Sequence, residues 1–305
     1  MRLWPGPWRR DHWRRVTDTL DPATDHERIS KILSMHEFPW DVEQALSFAL
    51  FRTYAVPSIG RLLDQTDEFG ARTQKRHDDT VIVLESVLTH GMESADGRAA
   101  VRRMNQMHGS YDISNEDMVY VLSTFVVTPA RWIRRYGWRR LSATEIDGVT
   151  NYYRRLGRLM GIRDLPADFA AFERYLDEYE AREFAYDEGG RRVADATLEL
   201  FTTFYPRPAR PAMRIFARAL MDDHLLRAFD YAKPSAWVCR LARGSLRLRG
   251  RLLRLMPSRR RPWSAGSSHR IRSYPGGFMV EHLGTFPATM PSDDELSARS
   301  RRPVA

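Results

Sequence analysis

His108 is the residue in this sequence best placed to hold a metal. It follows Met104 by one helical turn and Val101 by two, so at helical spacing the three share an apolar face. A neutral imidazole there offers an unprotonated ring nitrogen to an iron, provided an acceptor fixes the other nitrogen. Taken alone, the spacing favours a quieter alternative, a core histidine bonded to a backbone carbonyl. The other histidines are less well placed. His77 and His90 flank one expected helix without sharing a face cleanly, and His36 sits beside Pro39-Trp40 as a packing residue. His12, His26, His224, His269 and His282 read as surface or tail positions.

Two further groups of residues ask for an anion. Arg52 ends a strongly apolar helix, where a buried-leaning guanidinium needs a negative partner. The run Gln74-Lys75-Arg76-His77-Asp78-Asp79-Thr80 places cations at a helix N-terminus, whose free N–H groups already favour anions. The carboxylates of a haem would satisfy either site. So would ordinary ion pairs, for example Lys75 or Arg76 with Asp78 or Asp79 in the same turn, and taken alone that alternative wins.

Self-sufficient catalytic signatures are missing. There is no GxSxG, P-loop, HExxH, GxGxxG after a strand, or dense ExxH carboxylate cluster. A lone Cys239 excludes an internal disulfide framework and every multi-cysteine metal site. An enzyme built on this chain takes its chemistry from a cofactor or from scattered residues.

The elements that position these residues read as helices throughout, so the expected fold class is all-α. Thr24-x-x-Glu27 resembles a capping box opening a short helix through Ile29, Ile32 and Leu33. A helix from near Asp41 carries Val42, Ala45, Leu46, Ala49 and Leu50 and ends before Pro57, and another covers about 74–90 and stops at Gly91. Ser94 caps the helix that ends at His108. Ser114-x-x-Asp117 opens a long apolar helix that Pro129 is expected to kink or break, and Ser142-x-x-Glu145 opens the next, closed by Gly161. Pro166 heads a helix bearing Phe169, Phe172, Leu176 and Tyr179, and two more cover about 190–204 and 211–229.

The net charge is +9, and 45 of the 48 basic residues are arginine. Acidic residues are interleaved along the first two-thirds, so the excess gathers at 240–261, in one basic element. Within the helix expected at 236–256, Trp237, Val238, Leu241, Leu246, Leu248, Leu252, Leu253, Leu255 and Met256 fall in one half of the wheel, and all arginines but Arg249 in the other. Such a helix suits an anionic membrane surface or an acidic partner, or else covers the core with its apolar half inward, which is the favoured reading. Residues 257–305 are expected to be a basic, irregular tail after a helical domain at 1–256. No apolar run is long enough to span a bilayer and the N-terminus has no signal-peptide pattern, so a cytoplasmic address is the default.

Several stretches together resemble one known family. His36-Glu37-Phe38-Pro39-Trp40-Asp41, Phe48-Ala49-Leu50-Phe51-Arg52-Thr53-Tyr54 and Pro57-Ser58-Ile59 are similar to the N-terminal signature of the mpaB/rubber-oxygenase family. So is Gln74 to Thr80, where the family leads one to expect tyrosine in place of His77. Arg103-Met104-Asn105-Gln106-Met107-His108-Gly109 resembles the central motif, followed by Ile113-Ser114-Asn115-Glu116-Asp117, Tyr120 to Phe125, Pro129-x-Arg131-Trp132-Ile133 and Tyr136-Gly137-Trp138-Arg139. The likeness covers about 25–235 in order.

It implies an all-helical, haem b-dependent oxygenase that uses dioxygen on an unsaturated hydrophobic substrate, isoprenoid-like or lipid. By the same likeness His108 is the axial iron ligand and Arg52, Lys75 and Arg76 neutralise the haem carboxylates. Arg103, Asn105 and Asp117 become catalytic candidates, and Phe48, Phe51, Phe125 and Trp132 are suited to line an apolar pocket. Many wider relatives carry a second histidine where this chain has Val121-Leu122-Ser123. The helix at 236–256 would bring such an enzyme to the membrane where its substrate dissolves. Two other readings are a helical binding or scaffold protein without iron and, less favoured, an arginine-rich nucleic-acid binder.

Overall fold

The computed structural model describes residues 9–266 and 268–284. Among them there is no strand, and the chain forms helices in this order. α1 (His12–Thr17) and α2 (His26–Ile32) lead through a π-helical turn at Leu33–Glu37 into α3 (Pro39–Thr53). α4 (Pro57–Gln65) and α5 (Glu68–Ala71) precede the long α6 (Thr73–His90) and α7 (Ala95–His108). α8 (Asn115–Tyr136), α9 (Ala143–Leu159), α10 (Phe169–Glu183) and α11 (Glu188–Thr203) complete the body. α12 (Arg210–Leu220), α13 (Asp223–Ala228) and α14 (Ala236–Leu253) close it on one side. The fold is all-α.

Most start signals act as their residue types dictate. Ser94 and Ser114 accept the N–H of Gly97 and Asp117 at 2.9 and 3.0 Å. Ser142 and Glu145 form a reciprocal capping box, at 3.2 and 2.8 Å. The Thr24-x-x-Glu27 box does not form. The cap position of α2 is Asp25, and Glu27 instead accepts the backbone N–H of Met92 at 3.0 Å, tying α2 to the α6–α7 turn. Gly91 and Gly161 end their helices at φ 80° and 75°, where a side chain would be strained. The helix expected at 211–229 is two, because extended Met221 breaks it and Asp222 caps α13 by accepting the N–H of Leu225.

α8 runs unbroken through Pro129. A proline inside a helix costs roughly 3 kcal/mol. Burial of Trp132, Ile133 and Tyr136 in the turns beyond it offsets that cost, since those turns pack on the core beside Ala45 of α3.

α8 is the central helix, with α3 and α10 against it, while α4 lies across α11, α2 on α9 and α6 on α7. The α4–α11 crossing is tight: a Cβ at Gly190 would lie 2.4 Å from the Tyr54 carbonyl oxygen, and one at Gly60 would lie 2.7 Å from the Gly190 Cα. Both obstacles are backbone and cannot swing away. Gly190→Ala is expected to lower stability by about 1–3 kcal/mol, the range for overpacking, read as a lower urea midpoint with an unchanged slope.

α14 departs from the core-covering arrangement. Its buried face is Cys239, Ala242, Leu246 and Gly250, and a Cβ at Gly250 would meet the Tyr136 carbonyl oxygen at 2.5 Å. The helix is drawn down on its small residues, so most of its large apolar side chains remain outside. Residues 257–284 have little regular structure, yet they pack. Leu283 is fully buried with Ile82, Val101 and Met104, and Asp78 accepts the N–H groups of Arg272 and Ser273. Residues 1–8 and 285–305, which include the rest of the expected tail, lie outside the described residues.

Candidate active site

A cavity of about 430 Å³ opens at the centre of the helical body. Its walls come from α2 to α11 and the π-helical turn after α2, together with Trp263, Ala265 and Gly284 of the C-terminal segment. They are chiefly Leu, Val, Ile, Met and aromatic side chains. That volume and lining are typical of a site for a sizeable apolar ligand held by a few polar groups.

His108 lies on this wall, at the last turn of α7. Its Nδ1 is 2.8 Å from the Met104 carbonyl oxygen. A carbonyl only accepts, so Nδ1 carries the proton and Nε2 holds a lone pair. Burial holds the ring's pKa below its ordinary value; the Met104 carbonyl works against this and the nearby Arg76 guanidinium adds to it. The ring is therefore neutral at neutral pH. A fixed tautomer with its free nitrogen on a cavity wall is the donor a haem iron needs, so this residue fits the group.

The low pKa also has a stability consequence. Below about pH 6.5 the unfolded chain takes up a proton that folded His108 refuses, so stability falls as pH falls, by at most ~1.4 kcal/mol per pH unit. The urea midpoint should drop less between pH 7 and 5.5 in His108→Gln than in the parent; equal drops would contradict this.

Among the other residues expected at the site, Arg76 and Asp117 also line the cavity. Arg76 donates to Thr80 within α6. Asp117 is buried and accepts from the Tyr179 hydroxyl at 2.6 Å and the Ser58 hydroxyl at 3.0 Å. Four candidates lie elsewhere. Arg52 is locked onto Glu180 by two hydrogen bonds and onto Asp222, so the anion it needs is supplied by the protein. Lys75 donates to Asp79 at 2.8 Å and to the Gly284 carbonyl at 3.0 Å. Arg103 donates to the Leu283 carbonyl at 2.5 Å, and Asn105 to the Leu159 carbonyl at 2.9 Å, tying α7 to α9. Of the aromatic candidates, Phe125 lines the large cavity. Phe48, Phe51 and Trp132 line a smaller one of about 100 Å³ beside it, between α3, α11 and α12.

Sequence reasoning passed over His77. It lines both cavities, and its Nδ1 lies 3.0 Å from Asp78 Oδ1. Burial pushes the Asp78 carboxyl up, but hydrogen bonds from His77 and from the Arg272 and Ser273 N–H groups outweigh it and hold the pKa low. A carboxylate thus fixes this second imidazole too. The adjacent His-Asp pair was the available signal. Among the described residues no three His, Cys, Asp or Glu side chains converge on one point as a metal cluster would require.

The profile of a family described as "ER-bound oxygenase mpaB/B'/Rubber oxygenase, catalytic domain" matches residues 44–255. The chain is 29% identical over 250 residues to the ER-bound oxygenase mpaB' of Penicillium brevicompactum, covering 75% of this chain and 59% of that protein. It is 28% identical over 236 residues to the ER-bound oxygenase mpaB of Penicillium roqueforti, covering 71% and 79%. It is 29% identical over 253 residues to the mpaB of Penicillium brevicompactum, covering 76% and 64%. The chain thus spans less than two thirds of two of these three relatives.

Proposed function

The chain belongs to the mpaB/rubber-oxygenase catalytic-domain family, and on that premise we propose that it is a haem b-dependent oxygenase oxidising or cleaving an unsaturated hydrophobic substrate. The observation that carries the reading is His108: neutral, its Nδ1 proton held by Met104, its Nε2 free on the wall of an apolar cavity. Haem, when bound, supplies the activation of dioxygen.

The chain's own residues do the rest. His108 offers Nε2 to the iron while the Met104 carbonyl keeps the ring from turning. Arg76 gives the cavity wall a fixed positive charge suited to a haem carboxylate. The hydrocarbon lining, with Leu122, Phe125 and Tyr153 in it, excludes water and favours an isoprenoid-like or lipid chain over a polar substrate. Asp117, held by Tyr179 and Ser58, is a fixed carboxylate at the edge of that lining and positions the Tyr179 hydroxyl. In this reading Lys75, Arg103 and Asn105 act indirectly, by pinning the C-terminal segment and α9 around α7, and Arg52 holds α3 to α10.

The full chain expressed with a haem precursor should be coloured, with a Soret band. It should consume dioxygen with a polyprenyl alkene but not with its saturated analogue. Protein that shows no Soret band after mixing with haemin and removal of the unbound haemin overturns the reading and leaves a helical binding protein in its place.

A further inference from the structure

The exposed side chains of α14 form a second functional surface. Trp237, Leu241, Leu248, Leu252 and Leu255, at spacings of 4, 7, 4 and 3, are 67%, 64%, 54%, 56% and 84% exposed. On a wheel of 100° per residue they fall within an arc of about 60°. The residues that bury α14 against the body, Cys239, Ala242, Leu246 and Gly250, occupy the opposite side. The stripe is therefore fully outward, along the whole helix and just past it. An apolar row of this size on a monomer marks an interaction surface.

Charge decides what covers it. Arg240, Arg247, Arg251 and Arg254 lie along one flank of the stripe, exposed, and make no ion pair among the described residues. No Asp or Glu occurs between Asp230 and Glu281. Arg249, on the other side, is withdrawn into a pair with Asp41 at 3.0 Å and stacks over Trp40. A second copy docking antiparallel by the same stripe would bring like-charged arginine rows together. Neither of the two cavities is lined by a residue of α14. A tryptophan at one end, leucines beneath and arginines beside them match the headgroup boundary of an anionic bilayer.

We propose that α14 is an interfacial helix by which the protein lies on an anionic lipid surface, the Trp237–Leu255 stripe entering the acyl boundary and the arginine flank meeting the headgroups. The inference does not depend on what the central cavity binds.

Vesicle flotation of the full chain tests it. Binding is expected to phosphatidylcholine vesicles containing phosphatidylglycerol, and more weakly to phosphatidylcholine alone. The combined variant Trp237→Ser, Leu241→Gln, Leu248→Gln, Leu252→Gln should bind the mixed vesicles about 100-fold less or weaker. Arg240→Gln, Arg247→Gln, Arg251→Gln and Arg254→Gln together should reduce mixed-vesicle binding to the phosphatidylcholine level. All these residues are exposed, so circular dichroism and the thermal midpoint should match the parent. Failure of the parent to float, or flotation that survives the apolar variant, overturns the proposal. So does a dimer in sedimentation equilibrium that the apolar variant dissociates.

Discussion

Replacing His108 with alanine is expected to abolish the Soret band of the reconstituted protein and to lower oxygen-dependent turnover by at least about 100-fold. That floor comes from metal sites in which only the group behind a ligating histidine is removed, which already costs 10–100-fold. Removing the ligand itself leaves nothing on the α7 wall that donates to iron, since Met104 and Met107 beside it offer only weak thioethers. The effect on folding should be small. The ring makes one hydrogen bond, to Met104, worth about 1 kcal/mol, and the vacated space joins a cavity that already exists. A thermal melt near the parent's beside a lost absorption band separates ligation from a folding defect. His77→Ala is the matched comparison, because His77 lines the same cavity with its own Nδ1 fixed by Asp78. The band should survive in His77→Ala. If it vanishes there and persists in His108→Ala, His77 is the ligand and the assignment of roles is reversed.

The second large effect concerns stability. Arg139 joins two carboxylates that are completely buried, donating twice to Glu145 at 2.6 Å and twice to Glu37 at 3.1 and 2.8 Å. Glu145 also closes the capping box of α9 and accepts from Thr17 of α1. Arg139→Ala would strip both carboxylates of the cation that hydrogen-bonds them, leaving Glu37 only the electrostatic pull of Arg10, a loss of about 3–5 kcal/mol, measurable by urea unfolding at pH 8. Arg139→Lys, which keeps the charge but not the planar fork, should fall between. Burial already pushes the Glu37 carboxyl up against the opposing pull of Arg139, so its pKa climbs further in the alanine variant. The folded variant then binds a proton that the unfolded chain releases, and its deficit shrinks from pH 8 to pH 5.5. A deficit that stays constant or widens on acidification would contradict this account.

How much of this was legible in the sequence depends on the range of the interaction. Caps act within one turn, and Ser94, Ser114 and Ser142 declared their helices for that reason. Thr24 misled because Glu27 had a better partner in the Met92 N–H, 65 residues away. Periodicity placed His108 beside Met104 on one face but not on a cavity wall, since that wall is assembled from ten helices, α2 to α11. Arg52 was read correctly as needing an anion, but not which one, because Glu180 lies 128 residues further on. For α14 the wheel divided apolar from basic residues correctly. It did not tell which edge of the apolar half turns inward, because the close approach to Tyr136 selects the small residues. Family likeness, not spacing, is the source of the expectation that His108 holds a haem.

The path of residues 257–284 bears on how the protein is made. Trp263, Ala265 and Gly284 complete the wall of the large cavity, and Leu283 fills the core between α6 and α7. A chain emerging from the ribosome therefore lacks the finished chamber until residue 284 has been translated. α2 to α11 can collapse early through contacts of short and middle range. The clasp formed by Asp78, Lys75 and Arg103 with the returning segment must wait. Any ligand that needs the closed chamber can thus be enclosed only after residue 284 has been made, with a half-built, open vessel preceding it.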